Sequence, residues 1–444
     1  MKTHYLIALV LLAMFSSCKK DDNAILISDD DEIITSNDDE TIPSNDAPNI
    51  LLIIADDLGK DAISGYSEGS IKPNTPNIDA IRNTGLSFNN LWVYPTCSPT
   101  RAAIITGKYG YRTGVKWAGD TMSNSEDVLH NYIKSQTNNE YATAAIGKWH
   151  LAGEGISTFN PETLGMDYYS GLLSGGSGYT QWTLSEDGVN TNQNEYITAK
   201  FTDLSIDWIN GQEKPWFLWL AYTAPHTPFH VPPTEMHSQG NLPEYSLGMD
   251  PIPYYMAAIE AMDYQIGVLL DGIPEAEREN TTIIIVGDNG TPNQVAQSPY
   301  SNATAKGSLY QGGINTPMFI SGAAVSRVGT DDNLISGTDL FATISELAGI
   351  EVTEINDSKS FKSLLSSASI IREFQYSEMN NGTDDLWTIK NSQFKLIINA
   401  NGYEELYDLN QDPYETVNLL DDTLTSAASQ AKTALETELS EIRN

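Results

Sequence analysis

Three short runs of this chain are continuously apolar, two of them after a single polar first residue, instead of apolar at every second position: Asn49–Ala55 (NILLIIA), Trp216–Tyr222 (WFLWLAY) and Thr282–Gly287 (TIIIVG). A strand with one wet face alternates, so these runs read as strands covered on both sides, the mark of a mostly parallel sheet with helices on each face. Helical stretches that could supply the cover are predicted at Pro76–Thr84, Ser123–Gln136, Tyr254–Leu270 and Asp339–Ala348, with further strands at Leu86–Val93 and Pro317–Ile320. The expected fold is therefore α/β, a large mixed, mostly parallel sheet flanked by helices. The first and third runs end in oxygen side chains, Asp56-Asp57 and Asp288-Asn289. Adjacent carboxylates at a strand end repel unless a cation lies between them. The four form a hard, all-oxygen set of the type expected for Ca²⁺ or Mg²⁺. Carboxyl ends of strands are also where open α/β sheets place their sites.

The chain is long enough, at 444 residues, for a large domain and a smaller one, and no period of the solenoid kind returns along it. Residues 1–18 carry Lys2, an apolar run from Leu6 to Phe15, then Ser16, Ser17 and Cys18, an export signal too short to span a bilayer. Small residues before Cys18 are similar to a bacterial lipobox, with Phe15 where Leu is usual, so Cys18 is expected to be lipidated; plain secretion is the alternative. Residues 19–47 follow as a tether, and ten acidic residues without an aromatic between 21 and 47 predict disorder. The catalytic domain is expected over 48–368. A C-terminal subdomain is expected over 369–444, an antiparallel sheet from strands such as Leu386–Lys390 and Phe394–Ile398 plus a helix from about Ser426. With 24 Lys plus Arg against 59 Asp plus Glu, nucleic acid and anionic membranes are disfavoured partners. The only cysteines are Cys18 and Cys97, so no disulfide is expected if each has its own task.

Cys97 lies in Tyr94–Gly114, within Cys97-x-Pro99-x-Arg101 followed by Thr106-Gly107. Pro99 favours a first helical turn, which sets Cys97 at a helix N-terminus where amides and dipole attract an anion. Arg101, a turn further on, adds a fixed cationic fork. Three more elements carry candidate chemistry. In Glu140–Leu151, Lys148 and His150 two apart on an extended segment would point to one side. Ala224-Pro225-His226-Thr227-Pro228 follows the second apolar run, and Lys306-Gly307 precedes the Gly312-Gly313 turn. His230 and His237 have no motif and read as loop or rim residues, with Trp117, Tyr179 and Trp182 as further guesses for the rim.

Taken in chain order, Cys97-x-Pro99-x-Arg101, Gly147-Lys148-Trp149-His150, Ala224-Pro225-His226-x-Pro228, Lys306 and Tyr407-Asp408-Leu409-x-x-Asp412-Pro413-x-Glu415 resemble the type I, formylglycine-dependent sulfatases of the alkaline-phosphatase-like superfamily. Glu140 departs from the Gly usual in the second signature. The resemblance spans about 48–420 and implies oxidation of Cys97 to formylglycine by a maturation enzyme, with the hydrated aldehyde attacking sulfur and then expelling sulfate. It implies that Asp56, Asp57, Asp288 and Asn289, with residue 97, hold the cation. Arg101 and Lys148 would orient the diol, and Lys148 and Lys306 bind sulfate oxygens. His226 would protonate the leaving oxygen and His150 take the proton of the second hydroxyl. The implied partners are a sulfated carbohydrate and the maturation enzyme, with the membrane reached only through an N-terminal lipid. Export places the protein in the periplasm or at the cell surface. Two rivals stand beside this reading. A phosphoester or phosphonate hydrolase of the same superfamily would show a Thr or Ser nucleophile and a second metal shell; a glycan-binding lipoprotein without catalysis would lack some of the ligand motifs.

Overall fold

The computed structural model describes residues 47–155 and 159–444, so the expected leader, lipidated Cys18 and most of the acidic tether lie outside the described residues. Ten strands form the main sheet, in the order Gly329–Asp331, Leu86–Phe88, Met318–Gly322, Thr281–Gly287, Asn49–Asp56, Trp216–Pro225, Ala142–Lys148, Tyr168–Leu172, Trp182–Glu186 and Val189–Gln193. The five strands from Thr281–Gly287 to Tyr168–Leu172 run parallel, and the sheet turns antiparallel on either side of them. Every residue of Asn49–Asp56 is buried, and alternate side chains feed two separate cores. Ile50, Leu52 and Ile54 pack on one face; Leu51, Ile53 and Ala55 pack on the other. This two-sided burial is why the run shows no polar alternation. The helix Ile252–Gly272 covers the second face, and Cys97–Thr106, Leu129–Gln136 and Asp339–Leu347 cover the first.

Three expectations need correction. The return strand Leu86–Val93 is two strands, Leu86–Phe88 in the main sheet and Leu91–Trp92 in a small separate one, because Asn89 and Asn90 break the run. The helix expected from Ser123 starts only at Leu129, since Ser123–Asp127 are polar turn residues and Val128 is extended at the N-cap. Lys148 closes its strand, but His150 has φ 59°, so the two do not lie on one extended segment. Strands Gln375–Asn380, Asp385–Lys390, Phe394–Asn399 and Glu404–Asp408 form an antiparallel meander, on which Leu435 and Leu439 of the helix Ser426–Arg443 pack. Tyr109, just past the Cys97 helix, shares that core. Among the described residues no helix is long and apolar enough to cross a membrane.

Candidate active site

The carboxyl ends of the central parallel strands converge on one buried cluster. Asp56 is the last residue of Asn49–Asp56, and Asp57 follows with φ 71°, a left-handed conformation that costs a non-glycine residue energy and is kept where function demands it. The Asp57 amide donates to Asp288 Oδ1 at 3.0 Å, and the Asp288 amide donates to the Ala55 carbonyl at 3.1 Å, so the two strand ends are laced together. Cys97 opens the helix Cys97–Thr106, all of whose residues are buried, and the N-cap Thr96 makes no side-chain cap bond. Gly147 sits at φ 106° where a Cβ would lie 2.0 Å from the Ala221 carbonyl oxygen, so only glycine lets the neighbouring strand deliver Lys148 this closely.

The cations meet the carboxylates directly. Arg101 donates from Nε at 3.0 Å and Nη2 at 2.8 Å to Asp288 Oδ2, and from Nη1 at 2.5 Å to the Lys148 carbonyl. Lys148 Nζ donates to Asp56 Oδ2 at 2.5 Å and lies 3.7 Å from Cys97 Sγ. Lys306 Nζ donates to Asp57 Oδ1, which also accepts from Asn289 Nδ2 at 2.8 Å. His226 Nε2 stands 3.7 Å from Asp57 Oδ2, and its Nδ1 donates to the Thr227 carbonyl at 2.6 Å. Cys97 Sγ lies 3.1 Å from His150 Nδ1, while His150 Nε2 is 3.1 Å from Glu154 Oε1. A carboxylate facing Nε2 holds the proton there and leaves the Nδ1 lone pair facing residue 97. The ten candidate catalytic and metal-binding residues thus gather here, but Arg101 braces Asp288 and the Lys148 backbone and makes no hydrogen bond to Cys97. Sequence reasoning missed Glu154, which belongs to no motif, and Tyr255, whose hydroxyl donates to the Asp57 carbonyl at 2.7 Å.

Burial raises the Asp56 carboxyl but is outweighed by Lys148, His226, Arg101 and Lys306, which hold it well below the usual carboxylate range. Burial and the Asp56 charge push Asp288 upward against Arg101. Burial, then the charges of Lys148 and Arg101, pull His150 down to about 2, so its ring is neutral. His226 is lowered by burial against the pull of Asp57. Burial pushes the Cys97 thiol up despite Lys148, so the unmodified residue is a weak nucleophile. Two oxygens, Asp56 Oδ1 and Asn289 Oδ1, are fully buried and accept no hydrogen bond. Donor atoms of Asp56, Cys97 and Asp288 lie within 4.8 Å of one another, as do those of Asp56, Asp57 and His226. Buried oxygens without a donor, on residues of a cluster that gathers three carboxylates, fit a divalent cation. Three carboxylates, Asp56, Asp57 and Asp288, face three cations, Arg101, Lys148 and Lys306, so a bound divalent ion would leave an excess of positive charge for an anion. Of the guessed rim residues, Tyr179 and Trp182 are buried: Tyr179 stacks on His230 at 3.6 Å and reaches the His226 carbonyl at 2.7 Å, and Trp182 donates to the Glu195 carbonyl.

The sulfatase family model matches residues 48–350, and a model of the N-sulphoglucosamine sulphohydrolase C-terminal region matches 304–444. The chain is 27% identical to the uncharacterized sulfatase YdeN of Escherichia coli, over 69% of this chain and 63% of that protein, and so spans less than two thirds of that relative. It is 26% identical to the arylsulfatase of Klebsiella aerogenes, over 68% of this chain and 87% of that one. The crystal structure of Ps i-CgsB in complex with k-i-k-neocarrahexaose shares the fold with TM-score 0.75 at 24% identity, covering 89% of this chain and 92% of that chain. That of BT4656 in complex with its substrate D-glucosamine-2-N,6-O-disulfate does so with TM-score 0.74 at 22% identity, covering 89% and 98%.

Proposed function

The chain belongs to the sulfatase family, and from that premise we propose that it hydrolyses sulfate esters of carbohydrates, either sulfated polysaccharides or oligosaccharides cut from them. The observation that carries this reading is the convergence on residue 97 of a neutral histidine at 3.1 Å, a lysine at 3.7 Å and a charge-balanced cluster whose two orphan oxygens suit a cation. Residue 97, once oxidised to formylglycine, would supply as its hydrate both a nucleophilic oxygen and a second hydroxyl for sulfate release. A divalent cation, Ca²⁺ ahead of Mg²⁺, held by Asp56, Asp57, Asp288 and Asn289, would lower the pKa of the nucleophile and neutralise sulfate charge.

The chain's own residues divide the remaining work. His150, with its proton fixed on Nε2 by Glu154, accepts a proton from the side chain of residue 97 through Nδ1. Lys148 and Lys306 bind sulfate oxygens, and Arg101 keeps Asp288 ionised and the Lys148 backbone in place. His226, once doubly protonated beside the Asp57 carboxylate, donates the Nε2 proton to the leaving alcohol and keeps the Nδ1 proton in its bond to the Thr227 carbonyl. The carbohydrate substrate is supported by the sugars bound in the two solved proteins of the same fold. The leader and acidic tether support export, with an N-terminal lipid on Cys18 and delivery to the periplasm or cell surface; a maturation enzyme would have to act on Cys97. A panel of defined sulfated oligosaccharides, with sulfate release and product mass as readouts, tests the reading. Release of sulfate from at least one is expected; hydrolysis of phosphoesters with no sulfate released from any would overturn it.

A further inference from the structure

Away from the catalytic cluster, a cavity of about 1170 Å³ opens between the loops that follow the first strand and the C-terminal meander. Four lysines are buried among the described residues: Lys60, Lys148, Lys390 and Lys395. Lys148 is paired with Asp56 and Lys395 with Glu415. The other two, Lys60 and Lys390, each 3% exposed, have no carboxylate within 4.0 Å among the described residues, and both line this one cavity. Lys60 Nζ donates to the Asn89 carbonyl at 2.5 Å and Lys390 Nζ to Asn90 Oδ1 at 3.1 Å, so both ammonium groups meet the same Asn-Asn pair with donors to spare. Rings supply part of the missing compensation, Tyr66 at 4.8 Å from Lys60 Nζ and Trp92 at 5.6 Å from Lys390 Nζ.

Leaving two buried cations unpaired is costly, and harder to account for in a chain with 59 acidic residues to draw on. Burial pulls both lysines down to about 7, with Lys395 and Lys60 adding to the effect at Lys390. Carboxylates do line the cavity, but Asp332 and Glu373 are exposed and Glu68 is half-buried, which puts acid at the mouth and unpaired cations at the buried end. The volume exceeds what a free oxyanion needs, and side-chain amides and Tyr300 and Tyr414 in the wall offer hydroxyl partners and ring faces of the kind sugars use.

We propose that this cavity is a second binding site, for an anionic carbohydrate, in which a sulfate or carboxylate group of the ligand takes the unused donors of Lys60 and Lys390. The carbohydrate class rests on the proposed function; the anion site itself does not. Calorimetric titration of the full chain carrying Cys97→Ala, so that no ester is consumed, would use a sulfated galactose tetrasaccharide, its unsulfated counterpart and inorganic sulfate. The sulfated tetrasaccharide should bind at two sites, and Lys60→Met or Lys390→Met should weaken one of them at least about tenfold, as loss of a charged hydrogen bond does. On an unmutated Cys97 background neither substitution should alter kcat/KM for a small aryl sulfate, and the ligand-free Met variants should melt no lower than their parent. Unchanged tetrasaccharide binding in both variants would overturn the site. Inorganic sulfate binding there as tightly as the tetrasaccharide would overturn its carbohydrate character. Failure to hydrolyse any sulfate ester, with the lysine-dependent binding intact, would refute the catalytic reading and leave this site standing.

Discussion

Gly175→Ala isolates the positioning of His150 from the stability of the fold. Gly175 is buried in the loop after the strand Tyr168–Leu172, and a Cβ there would fall 2.1 Å from His150 Nε2. Ordinary contact begins at 3.4 Å, so the imidazole must shift by about 1.3 Å from the position in which it faces Cys97 and Glu154. The ring is what yields, because no backbone atom lies nearer to the added methyl. A misplacement of about 1 Å costs about 10² in rate, or roughly 2.7 kcal/mol of barrier. The effect on folding should be small: the lost contact is one hydrogen bond from a neutral ring to the solvent-exposed carboxylate of Glu154, and replacing glycine restricts the unfolded chain. Gly176→Ala is the control, since its Cβ would meet nothing within 4 Å. The assay is kcat/KM on a sulfate ester alongside the melting temperature. The expected result is a loss of about 10² for Gly175→Ala at near-parental melting temperature, with Gly176→Ala near the parent. Equal activity of the parent and Gly175→Ala, or equal losses in both variants, would refute a positional requirement on His150.

Three further outcomes are expected. His226→Ala should slow turnover of a sugar sulfate by about 10² to 10⁴ and that of an activated aryl sulfate far less, because a sugar alkoxide needs the proton and an electron-poor phenolate does not; equal slowing of both would make His226 a sulfate binder. Exhaustive chelation should abolish activity and lower the melting temperature, since Asp56 Oδ1 and Asn289 Oδ1 accept no hydrogen bond from the protein, and Ca²⁺ should restore both; full activity after stripping counts against the cation site. His130, fully buried against Phe217, is lowered from 6.5 to about 4 by burial. Between those values the unfolded chain binds the extra proton, so stability should fall as pH drops from about 6.5 to 4, by up to roughly 3 kcal/mol. His130→Phe should flatten that part of the melting profile; an unchanged slope would refute the assignment.

Much of this molecule could be read before its coordinates because burial on both faces leaves an unambiguous trace. Ile50 to Ala55 and Ile283 to Val286 contain no polar residue for the reason that neither face meets water. The carboxylates that end these strands stood out because nothing apolar could replace them. What the sequence hid depended on the path of the backbone. Asn89 and Asn90 split an apparently single strand between two sheets, and the left-handed turn at His150 delivers its ring by a route no alternation pattern predicts. Glu154 and Gly175 matter only because the loop folds them against that ring, and neither carries a motif of its own. Arg101 was rightly placed one turn from Cys97, yet its fork is turned toward Asp288, a residue 187 positions away in sequence. Lys60 and Lys390 look like ordinary surface lysines until the fold buries them.

The account stands most directly on the state of residue 97 in active protein. Mass spectrometry of the tryptic peptide Asn83–Arg101 from enzyme that releases sulfate should find an aldehyde in place of the Cys97 thiol, with specific activity across preparations proportional to the converted fraction. Fully active protein whose peptide carries only the unmodified thiol would contradict it.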